Sequence, residues 1–313
     1  MTANWVWRKR GRLFVASGER HPKLITHQAN PLAVHLENDV FRIFYSGRDR
    51  ENRSSVGAVD IELPTGVVIC DHIEPFVVHG PEGSFYEAGI SIGNEYSADG
   101  DRFILFMGWQ NKPGDHWRGD IGRLRVTPEV NLEIIDEHPY LVSDSEDRIS
   151  LSYPWVRKHN AEYQMWYGST DTWDGGNGEM VHVIKGAISP DGGSWRKTGL
   201  AVPYILGTAQ AFSRPTVIRL NDGIDHMWFS YRAGDGSTYR IGHAQSTDDG
   251  ATWMLALDSL SIHPSESGWD SEMIEYPFVF THRGAVYMLY NGNGFGKSGF
   301  GLAVLEGHNA SVA

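Results

Sequence analysis

The sequence predicts an all-β fold assembled from five copies of one strand–turn–strand unit. Three observations carry this. The first is a repeated phrase, clearest in Glu275–Gly292: a short apolar run beside a proline, a turn at Gly284, and a second run, Val286–Tyr290, that ends in Asn291-Gly292. Such a pattern reads as one strand, a hairpin turn and a second strand, and it occurs five times. The second is composition. The 36 glycines, with 11 Trp, 13 Tyr and 13 Phe, favour many turns and short aromatic-rich strands over long helices. The third is that no stretch of useful length shows the 3.6-residue apolar period of a helix.

The units follow one another along the chain. Arg12–Ala16 comes first, an apolar strand without a hairpin partner. In the first unit Asn30–Val34 is a strand, Glu37-Asn38-Asp39 a turn, and Phe41–Tyr45 a second strand; the charged loop Arg48–Arg53 leads to Val56–Ile61 and then Val67–Cys70. The second unit has Glu87–Ile92, a turn at Asp99-Gly100, Phe103–Met107, a loop carrying Asp115, His116 and Trp117, and Ile121–Val126. The third has Ser152–Val156, Tyr163–Tyr167, the loop Ser169–Glu179 and Val181–Ile188. The fourth has Ser213–Ile218, a turn at Asn221-Asp222-Gly223, His226–Tyr231 and a strand beginning at Tyr239. The fifth is Glu275–Gly292 followed by Phe300–Leu305.

Aligned on Pro31, Gly89, Pro154, Pro215 and Pro277, the units recur at spacings of 58, 65, 61 and 62 residues. Four short antiparallel strands at this period make a propeller blade, which must stack on its neighbours to bury its faces. The sequence therefore predicts one domain, residues 1–313: a five-bladed β-propeller of four-stranded antiparallel blades. The fifth unit leaves little chain for its outermost strand, so the unpaired Arg12–Ala16 is expected to fill that place and close the ring.

The turns between third and fourth strands add a signature. Ser246-Thr-Asp248-Asp-Gly250-Ala-Thr-Trp253 fits S-x-D-x-G-x-x-W, and Ser189-Pro-Asp191-Gly-Gly193-Ser-Trp195 is one residue shorter. The Asp bonds turn backbone, the Gly supplies positive φ and the Trp packs between sheets. The motif resembles the Asp-box of sialidase propellers and speaks for fold, not substrate.

Several function classes lose support. The net charge is −12, and the basic residues form no stripe, so no nucleic-acid partner is expected. No apolar run approaches membrane-spanning length, and the N-terminus shows no leader pattern; the expectation is a cytoplasmic protein. Cys70, the one cysteine, sits in an apolar run and reads as a buried thiol. The histidines share no ligand spacing, so neither a metal nor another cofactor is expected.

In a propeller the starts of the innermost strands and the loops between second and third strands share one face. These positions supply Asn30, Glu87, Tyr153, Arg214, Glu275 and Tyr276 from the strands. From the loops come Arg48, Asp49, Trp109, Asp171, Arg232, Asp235 and Asn291. Aromatic faces stack on sugar rings, planar polar groups bond hydroxyls, and paired carboxylates serve glycoside hydrolysis. Glu87 and Glu275 each open an apolar strand, where a charge is costly without a partner or a task. They are the expected catalytic pair, with Asp49 or Asp171 as alternative bases, and the other residues are expected to bind substrate. Arg48, Arg214 and Arg232 suit an anionic substrate or phosphate.

The x-P-x-V strand, the strand ending Tyr-x-Gly and the Gly-Ala third strand, over about residues 25–307, resemble the five-bladed propeller glycoside hydrolases. That superfamily includes invertases, levansucrases, arabinanases, xylosidases and mannoside phosphorylases. Its invertase-like members carry N-D-P, R-D-P and E-C-P motifs for nucleophile, transition-state stabiliser and acid/base. This chain has Ala29-Asn30-Pro31, Ser213-Arg214-Pro215 and Glu275-Tyr276-Pro277, of which only the last keeps its carboxylate. The resemblance implies a small-molecule carbohydrate substrate, with Glu275 similar to a general acid. A glycoside phosphorylase, a non-catalytic sugar-binding propeller and a protein-interaction propeller are the alternatives.

Overall fold

Short apolar runs that alternate with turns become strands, and the computed structural model, which describes residues 5–111, 116–234 and 236–307, contains twenty of them and no helix among those residues. They are β1 (Val6–Phe14), β2 (Thr26–Glu37), β3 (Val40–Arg48), β4 (Ser54–Glu62), β5 (Val67–Val77), β6 (Gly89–Ala98) and β7 (Asp101–Asn111). Then come β8 (Trp117–Val126), β9 (Leu132–Ile134), β10 (Leu151–His159), β11 (Glu162–Thr172), β12 (Val181–Ser189), β13 (Arg196–Leu200) and β14 (Ala211–Arg219). The chain ends with β15 (Asp225–Arg232), β16 (Arg240–Ser246), β17 (Met254–Leu255), β18 (Glu275–His282), β19 (Ala285–Asn291) and β20 (Phe300–Glu306). Asp115 and Asp235 lie outside the described residues.

The strands form one sheet of four, ordered β1-β20-β19-β18, and two sheets of eight. Each eight-stranded sheet consists of two runs of antiparallel hairpins joined by a single parallel pair, Ser54 with Gly89 in one and His182 with Ala211 in the other. The sheets meet through their first strands: β2 packs on β6, β6 on β10, β10 on β14, β14 on β18, and β18 on β2. Those first strands are buried along most of their length because they are covered on both sides.

The expected strand Arg12–Ala16 is β1, which starts earlier and pairs antiparallel with β20. Tryptophans flanking and within it hold it there. Trp7 meets Trp228 edge-on at 5.5 Å, and both indole N–H groups donate to the Leu260 carbonyl, at 3.0 and 2.8 Å.

A bulge recurs in the first strand of every unit. The ladder slips between Ala29 and Leu32, Ile92 and Glu95, Ser152 and Trp155, Ser213 and Thr216, and Glu275 and Phe278. In four of these the bulge holds a proline, which has no N–H to give to the ladder. The residue before it takes positive φ: Asn30 at 55°, Tyr153 at 40°, Arg214 at 50° and Tyr276 at 53°. This backbone is strained for side chains of that size, by roughly 1–3 kcal/mol each, and it re-aims consecutive side chains towards the hub. The second unit corrects the sequence alignment. Its bulge is Gly93-Asn94, not Ala88-Gly89, because Asn94 replaces the proline and bonds β10 instead, receiving Val156 N–H and donating to Val156 O, both at 2.7 Å. Glu87 therefore precedes β6 and does not correspond to Glu275.

Cys70 is exposed, contrary to the expected burial. It lies on β5, which pairs only with β4 and so has a free edge; Val67 and Ile69 beside it are 52% and 57% exposed. The Asp bonds of both S-x-D turns form as the motif predicts, and Gly250 takes positive φ (82°), but in the shorter turn the positive φ falls on Gly192 (74°) and not on Gly193. Asp248 accepts from Ser246 Oγ (2.7 Å), Thr252 N (2.9 Å) and Thr252 Oγ1 (2.6 Å), while the Trp253 ring meets Trp166 edge-on at 5.6 Å.

Candidate functional site

At one end of the first strands lies a cavity of about 430 Å³. Three kinds of position build its wall. The bulges contribute Asn30, Tyr153, Ser213 and Tyr276; the ends of second strands contribute Arg48, Trp109 and Arg232; the starts of third strands contribute Ser54, Trp117, His182 and the adjoining Tyr239. Phe295, 39% exposed, adds an apolar face from a glycine-rich loop.

Glu275 sits behind this wall, next in sequence to Tyr276. It is fully buried, and neither carboxyl oxygen has a hydrogen-bond partner among the described residues. Burial pushes its pKa well above the ordinary carboxylate value, and the positive charges of Arg48 and Arg232 only partly oppose this. Burial thus favours the neutral, proton-donating form, and Tyr153, Tyr239 and Tyr276 lie close enough to feel its charge. The Tyr153 and Tyr276 hydroxyls are 3.4 Å apart with rings 5.4 Å centre to centre, and Tyr239 stacks under the Arg232 guanidinium at 4.9 Å. Burial raises the pKa of all three phenols, keeping them protonated.

The arginines differ in role. Arg232 is clamped by Glu179, with Nη2 donating to Oε1 at 2.8 Å and Nε 2.7 Å from Oε2. Arg48 donates to Asn52 Oδ1 at 2.8 Å. Arg214 does not line the cavity: its guanidinium donates to the carbonyls of Ile92 (2.5 Å) and Pro31 (2.7 Å), tying three first strands together. Burial pulls its pKa down to about 9, still charged at neutral pH.

Other expected site residues scatter. Glu87 stands apart from the lining and caps a turn, accepting from Gly83 N–H at 2.5 Å. Asp49 organises its own loop through Lys23 and Arg53; burial opposes its ionisation, but these bonds outweigh it and lower its pKa. Asp171 is exposed and lies 3.4 Å from Lys185. Asn291 is buried and spent on main chain, donating to Gln28 O (2.7 Å) and Gly299 O (3.0 Å) and accepting from Asn30 N–H (2.9 Å). The structure thus brings together Asn30, Arg48, Trp109, Tyr153, Arg232 and Tyr276 on one wall with Glu275 behind it. Glu87, Asp49, Asp171, Arg214 and Asn291 fall outside the wall.

The sequence reading missed His182, Tyr239 and Ser54. His182 is buried between Ser152 Oγ (2.6 Å) and Thr170 Oγ1 (2.7 Å), and burial, helped by Lys185, lowers its pKa to about 3. All three lie at third-strand starts, which antiparallel order places beside second-strand ends; that rule alone would have found them. No group of three or more His, Cys, Asp or Glu able to hold a metal occurs among the described residues.

No known family model matches the chain. Over 302 residues, 96% of this chain and 99% of the other, it is 41% identical to "Uncharacterized protein Rv1502" of Mycobacterium tuberculosis. Among solved structures it resembles one titled "Glycoside hydrolase" (13% identity, TM-score 0.71, covering 97% of this chain and 94% of that one). It also resembles the Bombyx mori GH32 beta-fructofuranosidase BmSUC1 (14%, TM-score 0.64, 91% and 62%). A third is a structure from work on the GH130 family of mannoside phosphorylases, which contains glycoside hydrolases that target beta-1,2 mannosidic linkages in Candida mannan (12%, TM-score 0.63, 93% and 88%). The chain belongs to the family of the mycobacterial protein Rv1502 and has the fold of the propeller glycoside hydrolases.

Proposed function

We propose that the protein is a carbohydrate-active enzyme, a glycosidase whose general acid is Glu275, working in one domain of five blades. The cyclic packing of β2, β6, β10, β14 and β18, and the pairing of β1 with β20, support five blades closed by the N-terminal strand. The observation that carries the function is the Glu275 carboxyl, buried beside an aromatic wall, with its pKa raised by burial and no hydrogen-bond partner among the described residues. A neutral carboxyl can give its proton to a glycosidic oxygen as the bond to the anomeric carbon breaks. Trp109, Tyr153 and Tyr276 supply flat faces for the sugar ring. One cysteine, unpaired, fits a reducing compartment and supports action in the cytoplasm.

The pair of Glu87 with Glu275 is not retained: both lie off the lining, but Glu87 is spent on a turn through Gly83 N–H, whereas Glu275 adjoins the lining residue Tyr276 and has no hydrogen-bond partner among the described residues. Among the described residues one carboxylate is hydrogen-bonded to a lining side chain, Glu179 through Arg232, and it is the candidate base for an attacking water. A second reading, glycoside phosphorolysis, needs only one carboxyl because phosphate itself attacks. That no Asp or Glu lines the cavity among the described residues supports this second reading.

The test is nitrophenol release from a panel of 4-nitrophenyl glycosides, with and without phosphate, by wild type and Glu275→Gln. Wild type is expected to cleave at least one member. The variant is expected to lose at least about a hundredfold, and wild-type activity is expected to fall as pH rises through the raised Glu275 pKa. Equal rates in the two proteins would remove Glu275 from the chemistry.

A further inference from the structure

The charge of the cavity points to a class of ligand. The chain has 39 acidic and 27 basic residues, yet among the described residues no Asp or Glu lines the cavity, while Arg48 and Arg232 do. Neutral sugars need hydrogen-bond donors, but not two cations with no described carboxylate in the same wall.

The two arginines are not equivalent. The Arg232 charge is balanced by the Glu179 clamp. Arg48 is bonded to the neutral Asn52 amide, and no carboxylate oxygen comes within 4.0 Å of it among the described residues. Several half-buried guanidiniums elsewhere are paired with carboxylates, Arg42 with Asp60 at 2.8 Å, Arg157 with Asp225 at 2.6 Å and Arg123 with Asp136 at 3.4 Å, whereas Arg240 and Arg214 are bonded to main-chain carbonyls. Arg48 has neither kind of partner in its hydrogen bond to Asn52, and it faces the cavity. Its field is felt nearby. Burial, then the charges of Arg48 and Lys297, lower the His27 pKa to about 4, so His27 is neutral and adds no second positive charge beside Arg48. Among the described residues Glu275 forms no hydrogen bond with Arg48. A partly enclosed, unbalanced guanidinium gains most from a ligand anion, which its planar donor fork can take in bidentate fashion.

We infer that the cavity binds a saccharide bearing an anionic group, a carboxylate or a phosphate ester, received by Arg48 while the sugar ring lies on the aromatic wall. The inference rests on the carbohydrate reading and narrows its substrate class.

Calorimetric titration of matched pairs tests it. Glucose, galactose and mannose are each compared with their uronic acid and their 6-phosphate, on wild type and Arg48→Gln, with inorganic phosphate alone as a further ligand. In at least one pair the anionic sugar is expected to bind wild type about tenfold or more tightly than the neutral one, the factor of one charge-assisted hydrogen bond. Arg48→Gln is expected to erase that preference and leave the neutral sugar within about twofold, and added salt to weaken only the anionic member. The uronic-acid and phosphate arms tell which anion is preferred. Equal affinity within every pair, or equal weakening of both members in the variant, overturns the inference and leaves the carbohydrate reading standing. Arg48-dependent binding of phosphate alone, with no preference within the pairs, also overturns it and favours phosphorolysis. Binding of none of these ligands overturns the inference and removes the support for the carbohydrate reading together.

Discussion

Glu275 and Asn291 face each other across β18 and β19, and both are fully buried, yet they are opposite cases. Every polar group of the Asn291 side chain is used, so it holds the loop and the first strand in place. Glu275 uses none among the described residues. Its raised pKa makes a stability prediction with a definite sign. The folded state holds the proton more tightly than the unfolded state, so the contribution is complete below the unfolded value near 4.5 and is lost as pH rises towards the folded pKa. Glu275→Gln has no such loss. Thermal unfolding followed against pH should show the variant gaining on wild type above about pH 4.5, with a widening gap. A gap that stays flat from pH 4 to 8 would show that this carboxyl is paired. The sequence could suggest Glu275, because a charge opening an apolar strand is conspicuous. It could not separate Glu275 from Glu87, because that needs the position of the bulge.

Proline made the bulge visible at Pro31, Pro154, Pro215 and Pro277, and its replacement by Asn94 hid the second unit's bulge. That substitution shifted the alignment and placed Glu87 in the ring by mistake. Burial on β5 was also illegible: Val67–Cys70 is apolar enough for a core, but only pairing reveals that one edge is free. The Asp bonds of the S-x-D turns were legible, since they are local. Asp248 accepts three hydrogen bonds that lock one such turn. Asp248→Ala should cost about 1–2 kcal/mol in urea unfolding and leave turnover unchanged, as the turn joins β16 to β17, away from the cavity lining. A matched loss of activity in a stably folded variant would tie this turn to the site.

The whole molecule depends on contact between chain ends. β1 supplies the fourth strand beside β20, and Trp7 bridges to Trp228. Deleting residues 1–14 should abolish cooperative unfolding and expose the β20 edge to aggregation; a truncated chain that melts as sharply as the full one would deny this closure. The same architecture gathers Asn30, Trp109, Tyr153, Arg232 and Tyr276 from distant stretches of chain, which repeat spacing foretold, while the absence of Asp and Glu among the described lining residues emerged only in three dimensions. The account turns on a sugar lying in that wall within reach of residue 275. Crystals of Glu275→Gln soaked with the saccharide that most raises its melting temperature address this directly. The expected result is a ring against Trp109, Tyr153 and Tyr276, with the wall shifted so that the sugar's glycosidic oxygen reaches the introduced amide now buried behind it, and the sugar's charged group on Arg48. A sugar bound elsewhere on the molecule, with the cavity unfilled at saturating concentration, would contradict it.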